Sequence, residues 1–279
     1  MLKSICAGSL AGATLAERLA LAQDAGFEAV EFATGEGGAA PSLDSSAAEL
    51  QAVKELAASH HLQLSSTLGA VFWQYSLTDP DPAVRDKAVE LAGRCLETAQ
   101  ALGVGCVLIV PAVVYLPHAG GRKVGYAEGW DRALAALRAI AKKAAAVGVD
   151  VGVENVWNGF LLSPLEFCRF LDEVDSPRVG AYFDVGNVLP LGDPADWITT
   201  LGARLKRVHV KDFRLSVGNI NGFVPLLSGD VPWDRVVAAL EDIGYTGPLT
   251  AEMGGYQHHT KAVAYHTSVA LDFILGRRQ

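Results

Sequence analysis

Residues 149–184 read VDVGVENVWNGFLLSPLEFCRFLDEVDSPRVGAYFD. Val149–Glu154 is a short apolar run closed by a carboxylate. Pro164–Val174 is an amphipathic segment, with Ser163 ahead of it as N-cap and Pro164 in its first turn, both favoured at a helix start. Val179–Asp184 is a second apolar run, again closed by a carboxylate. Strand, helix and strand in that order require parallel strands, because the crossover must carry the chain back along the sheet.

Outward from this stretch the unit repeats. Strand-like runs lie at Ser4–Ala7, Ala29–Phe32, Leu62–Thr67, Cys106–Val110, Leu205–Val210 and Leu249–Glu252. Helical patterns occupy Leu15–Ala25, Ala47–Ser59, Ala83–Leu102, Trp130–Val147, Trp233–Ile243 and Ala262–Leu275, with a shorter piece at Ala195–Gly202. Strict alternation of eight strands and eight helices predicts the α/β class and a single (β/α)8 TIM barrel over residues 1–279, as one domain. An open doubly wound sheet would show a Gly-rich phosphate loop after an early strand. Gly35-Glu36-Gly37-Gly38 lacks that spacing. The strand-to-helix joins Gly69–Pro82, Pro111–Gly129 and Asp212–Pro232 are long and the return joins short. The functional face is therefore expected at the C-terminal ends of the strands.

Half of the 279 residues are hydrophobic, enough for a large core. A net charge of −8 argues against a nucleic-acid partner, whose backbone is bound by clustered Lys and Arg. No apolar run of about 18 residues indicates a membrane span. Met1–Cys6 faintly suggests a signal peptide, but Gly8, Gly12, Glu17 and Arg18 break the pattern and Lys3–Ala7 reads as strand, so targeting is rejected. Cys6, Cys95, Cys106 and Cys168 form no Cys-x-x-Cys pair. They read as buried free thiols in a reducing, cytoplasmic compartment. A homo-oligomer is left open.

Four residues of metal-ligating type sit at the ends of the last four strands: Glu154, Asp184, His209 and Glu252. Each interrupts an apolar run, and one crossover helix fits between each pair. A lone carboxylate at a strand end is commonly a cap or an ion-pair partner. Three converging on a low-dielectric barrel mouth repel unless protonated or neutralised. One divalent cation, Mn²⁺ foremost and otherwise Mg²⁺, Co²⁺ or Zn²⁺, suits three carboxylates and an imidazole.

Val153-Glu154-Asn155-Val156-Trp157-Asn158, Phe183-Asp184-Val185-Gly186-Asn187, Val208-His209-Val210-Lys211-Asp212-Phe213 and Thr250-Ala251-Glu252-Met253 resemble the sugar isomerase/epimerase superfamily of xylose-isomerase-like barrels. The resemblance takes in Asp24–Glu31 and the Gly229-Asp230-Val231-Pro232-Trp233 turn, and is nearest to ketose and pentulose-phosphate 3-epimerases. It implies a single metal held by Glu154, Asp184, His209 and Glu252. It also implies that Glu154 and Glu252 face opposite sides of a bound sugar or sugar phosphate, one taking a proton from carbon and the other returning it. A proton α to a carbonyl is weakly acidic, and a metal-bound cis-enediolate makes its removal feasible. Two positions depart from the tagatose-epimerase-like branch: Phe160 stands where that branch has a glutamate, and Asn187 where it has a histidine. Isomerisation, or loss of water from an inosose- or dehydroshikimate-like substrate, would use the same centre. A non-catalytic sugar-binding barrel is a further reading. An apurinic-site endonuclease would need more histidines at strand ends and a basic surface.

Other candidates surround this set. Lys211 shares a strand face with His209 and, with Arg214, is expected to contact substrate oxygens or a phosphate. Trp73 and Trp157 lie near the mouth and offer faces to a sugar. His258 follows strand eight, beside His259. Asn155 and Asn187 are expected to contact substrate or to hydrogen-bond the ligands. Glu31 ends strand two and is expected to bond substrate or a neighbouring strand. His118 and Lys123 lie in a loop that reads as a lid.

Overall fold

The computed structural model describes residues 1–116 and 120–278; His118 lies outside the described residues. Eight parallel strands close into a barrel: β1 Leu2–Cys6, β2 Ala29–Thr34, β3 Gln63–Gly69, β4 Cys106–Ile109, β5 Asp150–Glu154, β6 Val179–Asp184, β7 Leu205–Val210 and β8 Pro248–Ala251. Closure is made by β1 on β8, from Leu2 opposite Pro248 to Ile5 opposite Ala251. Helices follow the strands in turn: α1 Leu15–Asp24, α2 Ala47–Ser59, α3 Pro82–Leu102, α4 Tyr126–Val147, α5 Pro164–Val174, α6 Pro194–Leu201, α7 Trp233–Asp242 and α8 Ala262–Ile274. This is the (β/α)8 TIM barrel that the alternation predicts. Among the described residues no helix is long and apolar enough to cross a membrane.

The helix starts are written locally. Thr14 with Glu17 and Ser46 with Glu49 form capping boxes ahead of α1 and α2. Ser163 accepts the amide of Glu166, with Pro164 in the first turn. Helix α3 ends on Gly103 and α4 on Gly148, at φ 72° and 74°, a left-handed conformation that costs a side chain 1–2 kcal/mol or so and glycine nothing. Differences from expectation lie at the ends of elements. Helix α4 begins at Tyr126 rather than Trp130, and β1 runs from Leu2 to Cys6 rather than Ser4 to Ala7. The Asp230 carboxylate, ahead of α7, accepts the amide of Leu215.

Two long loops carry strands of their own. Tyr115–Leu116 pairs with Gly121–Arg122 after β4, and Asp212–Phe213 pairs with Phe223–Val224 after β7. Asp212 is buried and accepts the amides of Phe213, Gly229 and Val231 and the indole N–H of Trp233. One carboxylate thus ties both ends of the loop to the barrel rim.

Inside the barrel, alternation along each strand turns Cys6, Glu31, Tyr182, His209 and Thr250 inward. The register slips by one residue twice: at Ser65, between Val30/Leu64 and Glu31/Ser66, and at Lys206, between Ala181/Leu205 and Tyr182/Arg207. Such bulges re-aim side chains. The first brings the Ser66 hydroxyl onto Glu31, and the second sets His209 beside Asp184 across the ladder.

Candidate active site and metal centre

The ends of β5, β6 and β7 and the residue after β8 bring Glu154, Asp184, His209 and Glu252 together. One ligand atom from each lies within 4.8 Å of all the others. His209 Nδ1 stands 3.7 Å from Glu154 Oε1, 3.9 Å from Asp184 Oδ2 and 3.6 Å from Glu252 Oε2. Glu154, Asp184 and His209 are buried, whereas the Glu252 side chain is 38% exposed. Strand β8 stops at Ala251, one residue earlier than expected, but the Glu252 amide still donates to Val210 O and so holds that carboxylate at the rim.

Asp184 divides its two oxygens between two roles. Oδ1 accepts the amide of Asn187 and caps the single turn Val185–Val188. Oδ2 is buried and faces the Lys211 ammonium at 3.1 Å, whereas His209 Nδ1 is buried with no hydrogen-bond partner. An orphaned ring nitrogen beside a buried carboxylate oxygen, among two more carboxylates, fits a divalent cation by the chemistry of the donors.

The other ring nitrogen of His209 donates to Glu31 Oε2 at 2.8 Å. Glu31 is fully buried and also accepts from Cys6 Sγ at 2.9 Å, Ser66 Oγ at 2.6 Å and Tyr182 Oη at 2.5 Å. Burial by itself would raise this carboxyl. The four donors, His209 foremost, outweigh it and hold Glu31 down to about 2. Glu31 thus bonds a neighbouring strand, as one of its two expected readings has it. Cys6, Ser66 and Tyr182 give no sequence signal, because a serine, a cysteine or a tyrosine in a strand usually just packs.

The remaining candidates separate. The Lys211 ammonium is 3.1 Å from Asp184 Oδ2 and 2.5 Å from Glu252 Oε2. Burial raises the carboxyls of Glu154 and Asp184 above their ordinary range. At Glu252 the same effect is overcome by Lys211, and that carboxyl is lowered. Asn155 and Asn187 bond backbone. The Asn155 side chain takes both the amide and the carbonyl of Asp184, and the Asn187 side chain donates to Asn155 O. Trp157 donates to Asn187 O and packs edge-on against Phe213. Phe160 is buried against Tyr126, Trp130 and Phe170.

Arg214 is not brought to the cluster: it is exposed and donates to Ser228 O, because the ribbon after β7 turns it outward. His258 is also exposed, in the loop beyond β8. Trp73, half exposed, lines a separate cavity of about 500 Å³ with Arg122 and Lys123. A cavity of about 510 Å³ opens directly on Lys211 and Glu252, walled by Ile220, Phe223, Val224, Pro225, Met253 and Tyr256. That is within the range of small-molecule sites.

Comparison with known proteins agrees with this architecture. The family model of the xylose isomerase-like TIM barrel matches residues 19–270. A putative L-ribulose-5-phosphate 3-epimerase, SgbU, of Escherichia coli is 28% identical over 243 residues, covering 85% of this chain and 82% of that protein. A ketose 3-epimerase of Arthrobacter globiformis is 27% identical, covering 82% and 74%. The crystal structure of D-psicose 3-epimerase with D-tagatose from Clostridium cellulolyticum superposes with a TM-score of 0.78 at 20% identity, covering 99% of each chain. The chain belongs to the xylose isomerase-like TIM barrel family. With sugar epimerases as its relatives, it is an enzyme of the isomerase/epimerase class.

Proposed function

We propose that the protein is a divalent-metal-dependent 3-epimerase of a ketose or ketose phosphate, with Glu154 and Glu252 as its acid/base pair. One observation carries this reading. Two carboxylates from strands separated by β6 and β7 reach the same nitrogen, His209 Nδ1, at 3.7 and 3.6 Å. Glu154, Asp184, His209 and Glu252 would hold the cation, which when bound supplies positive charge to stabilise an enediolate.

Glu252, kept anionic by Lys211, removes the proton from the carbon next to the carbonyl. Glu154, across the centre from it, returns a proton to that carbon from the other side. Asp184 is pinned at its backbone by Asn155 and at Oδ1 by Asn187, so its part is to hold rather than to transfer. Lys211 borders the cavity and is placed to meet a substrate oxygen.

The test is exchange of solvent deuterium into ketopentoses, ketohexoses and their phosphates by metal-loaded enzyme. Exchange and 3-epimer formation are expected in the wild type. Glu154→Gln and Glu252→Gln should each lose about 100-fold or more of the epimerisation rate. Retained exchange in both variants would remove the assignment, and a dehydrated product would replace epimerase by lyase.

A further inference from the structure

We propose that Glu31 is the positioning residue of the metal centre: by accepting a hydrogen bond from the Nε2–H of His209 it fixes the ring so that the Nδ1 lone pair faces Glu154, Asp184 and Glu252. The inference rests on the metal-dependent reading above and adds to it a residue outside the ligand set.

The argument is geometric. An imidazole that offers a lone pair at Nδ1 must carry its proton at Nε2, and an acceptor there selects that arrangement. Glu31 Oε2 is that acceptor, at 2.8 Å and fully buried, so water does not compete. The carboxylate cannot swing away to pair elsewhere. Ser66 and Tyr182 donate to its Oε1, and Cys6 donates to the same Oε2 that accepts from His209. These donors come from β1, β3 and β6, so the orientation of one ligand is set by strands around the barrel. The slip in register at Ser65 is what lets Ser66 reach. An anionic acceptor also makes the imidazole a better donor to a cation, and removing such a partner commonly costs about 10- to 100-fold in metal affinity.

The measurement is divalent-metal affinity by calorimetric titration of the full-length protein with Mn²⁺ and Zn²⁺, beside the melting temperature of the metal-free form. Wild type is expected to take up one equivalent. Glu31→Gln is expected to bind about 10- to 100-fold more weakly. Ser66→Ala and Tyr182→Phe leave the Glu31–His209 bond in place and should lose less. Nitrogen NMR of histidine-labelled, Zn²⁺-loaded wild type should find the His209 proton on Nε2 and the metal on Nδ1. That arm decides the matter even if Glu31→Gln fails to fold. Unchanged affinity in a folded Glu31→Gln variant would overturn the proposal, leaving Glu31 a purely structural group. So would metal bound at Nε2, or a second equivalent in wild type that vanishes with Glu31, which would make Glu31 a ligand itself. Failure of wild type to bind any divalent ion would instead remove the functional reading on which the proposal stands.

Discussion

Lys211 sits where its charge matters most, 2.5 Å from Glu252 and 3.1 Å from Asp184. Its ammonium would compete with a divalent cation for two of the same carboxylates. Lys211→Met is therefore expected to tighten Mn²⁺ binding by about tenfold, roughly 1.4 kcal/mol, while slowing epimerisation. Weaker binding in calorimetric titration would show that Lys211 organises the carboxylates rather than competing for them. The carboxyls of Glu154 and Asp184, raised by burial, hold protons to higher pH than free carboxyls, and the cation needs them ionised. Metal affinity should accordingly fall as pH drops through their raised range, with more protons released on binding at pH 5 than at pH 8. A flat profile in two buffers of different ionisation enthalpy would contradict this. At this scale the four candidate ligands were legible, since a lone Glu, Asp or His closing an apolar run stands out. The outward turn of Arg214 was not, because an irregular loop carries no periodicity from which to read a direction.

Among the elements, the barrel interior depends on one missing side chain. Gly152 lies two residues before Glu154, on the inward face of β5, and a Cβ there would come within 2.8 Å of the Tyr182 ring. Tyr182 needs that space to reach Glu31. Gly152→Ala should push the ring aside, cost about 1–3 kcal/mol of stability and weaken metal binding. Thermal melts and metal titration of the same variant would test this. The loop after β7 depends on Gly229 in the same way, since a Cβ would stand 2.2 Å from Asp212 Oδ1. Gly229→Ala is expected to break the Asp212 cluster, raise KM more than it lowers kcat, and open residues 213–228 to limited proteolysis. An unchanged KM would mean that the loop does not shape the cavity. Glycine in a strand was visible in the sequence. Which ring fills the gap was not, because Gly152 and Tyr182 meet only across neighbouring strands.

Over the whole molecule, closure of the barrel is reinforced by Lys3. Its ammonium reaches Asp272 of α8 at 2.7 Å and Ser268 at 3.0 Å, with both charged side chains nearly buried. Lys3→Met should lower stability by about 1–3 kcal/mol and leave metal affinity untouched, Asp272 keeping Arg278 as a partner. Burial pushes the thiols of Cys95 and Cys106 up to about 11 and about 12. At pH 8 both should resist alkylation until the protein unfolds, with the half-buried Cys168 reacting first.

By itself the sequence determined the alternation of strands and helices, and with it the barrel, the face that carries the site and the four residues at its rim. Those follow from period and sequence spacing, which are local properties. Tertiary structure alone decided that Glu31 serves His209, that Lys211 takes two of the carboxylates, and that Asp184 splits its oxygens between a helix cap and the centre. Apart from the Asp184 cap, which is local, each of these is a contact between strands far apart in the chain. Its geometry is set by barrel closure and by two one-residue slips in register that leave no trace in hydrophobic pattern.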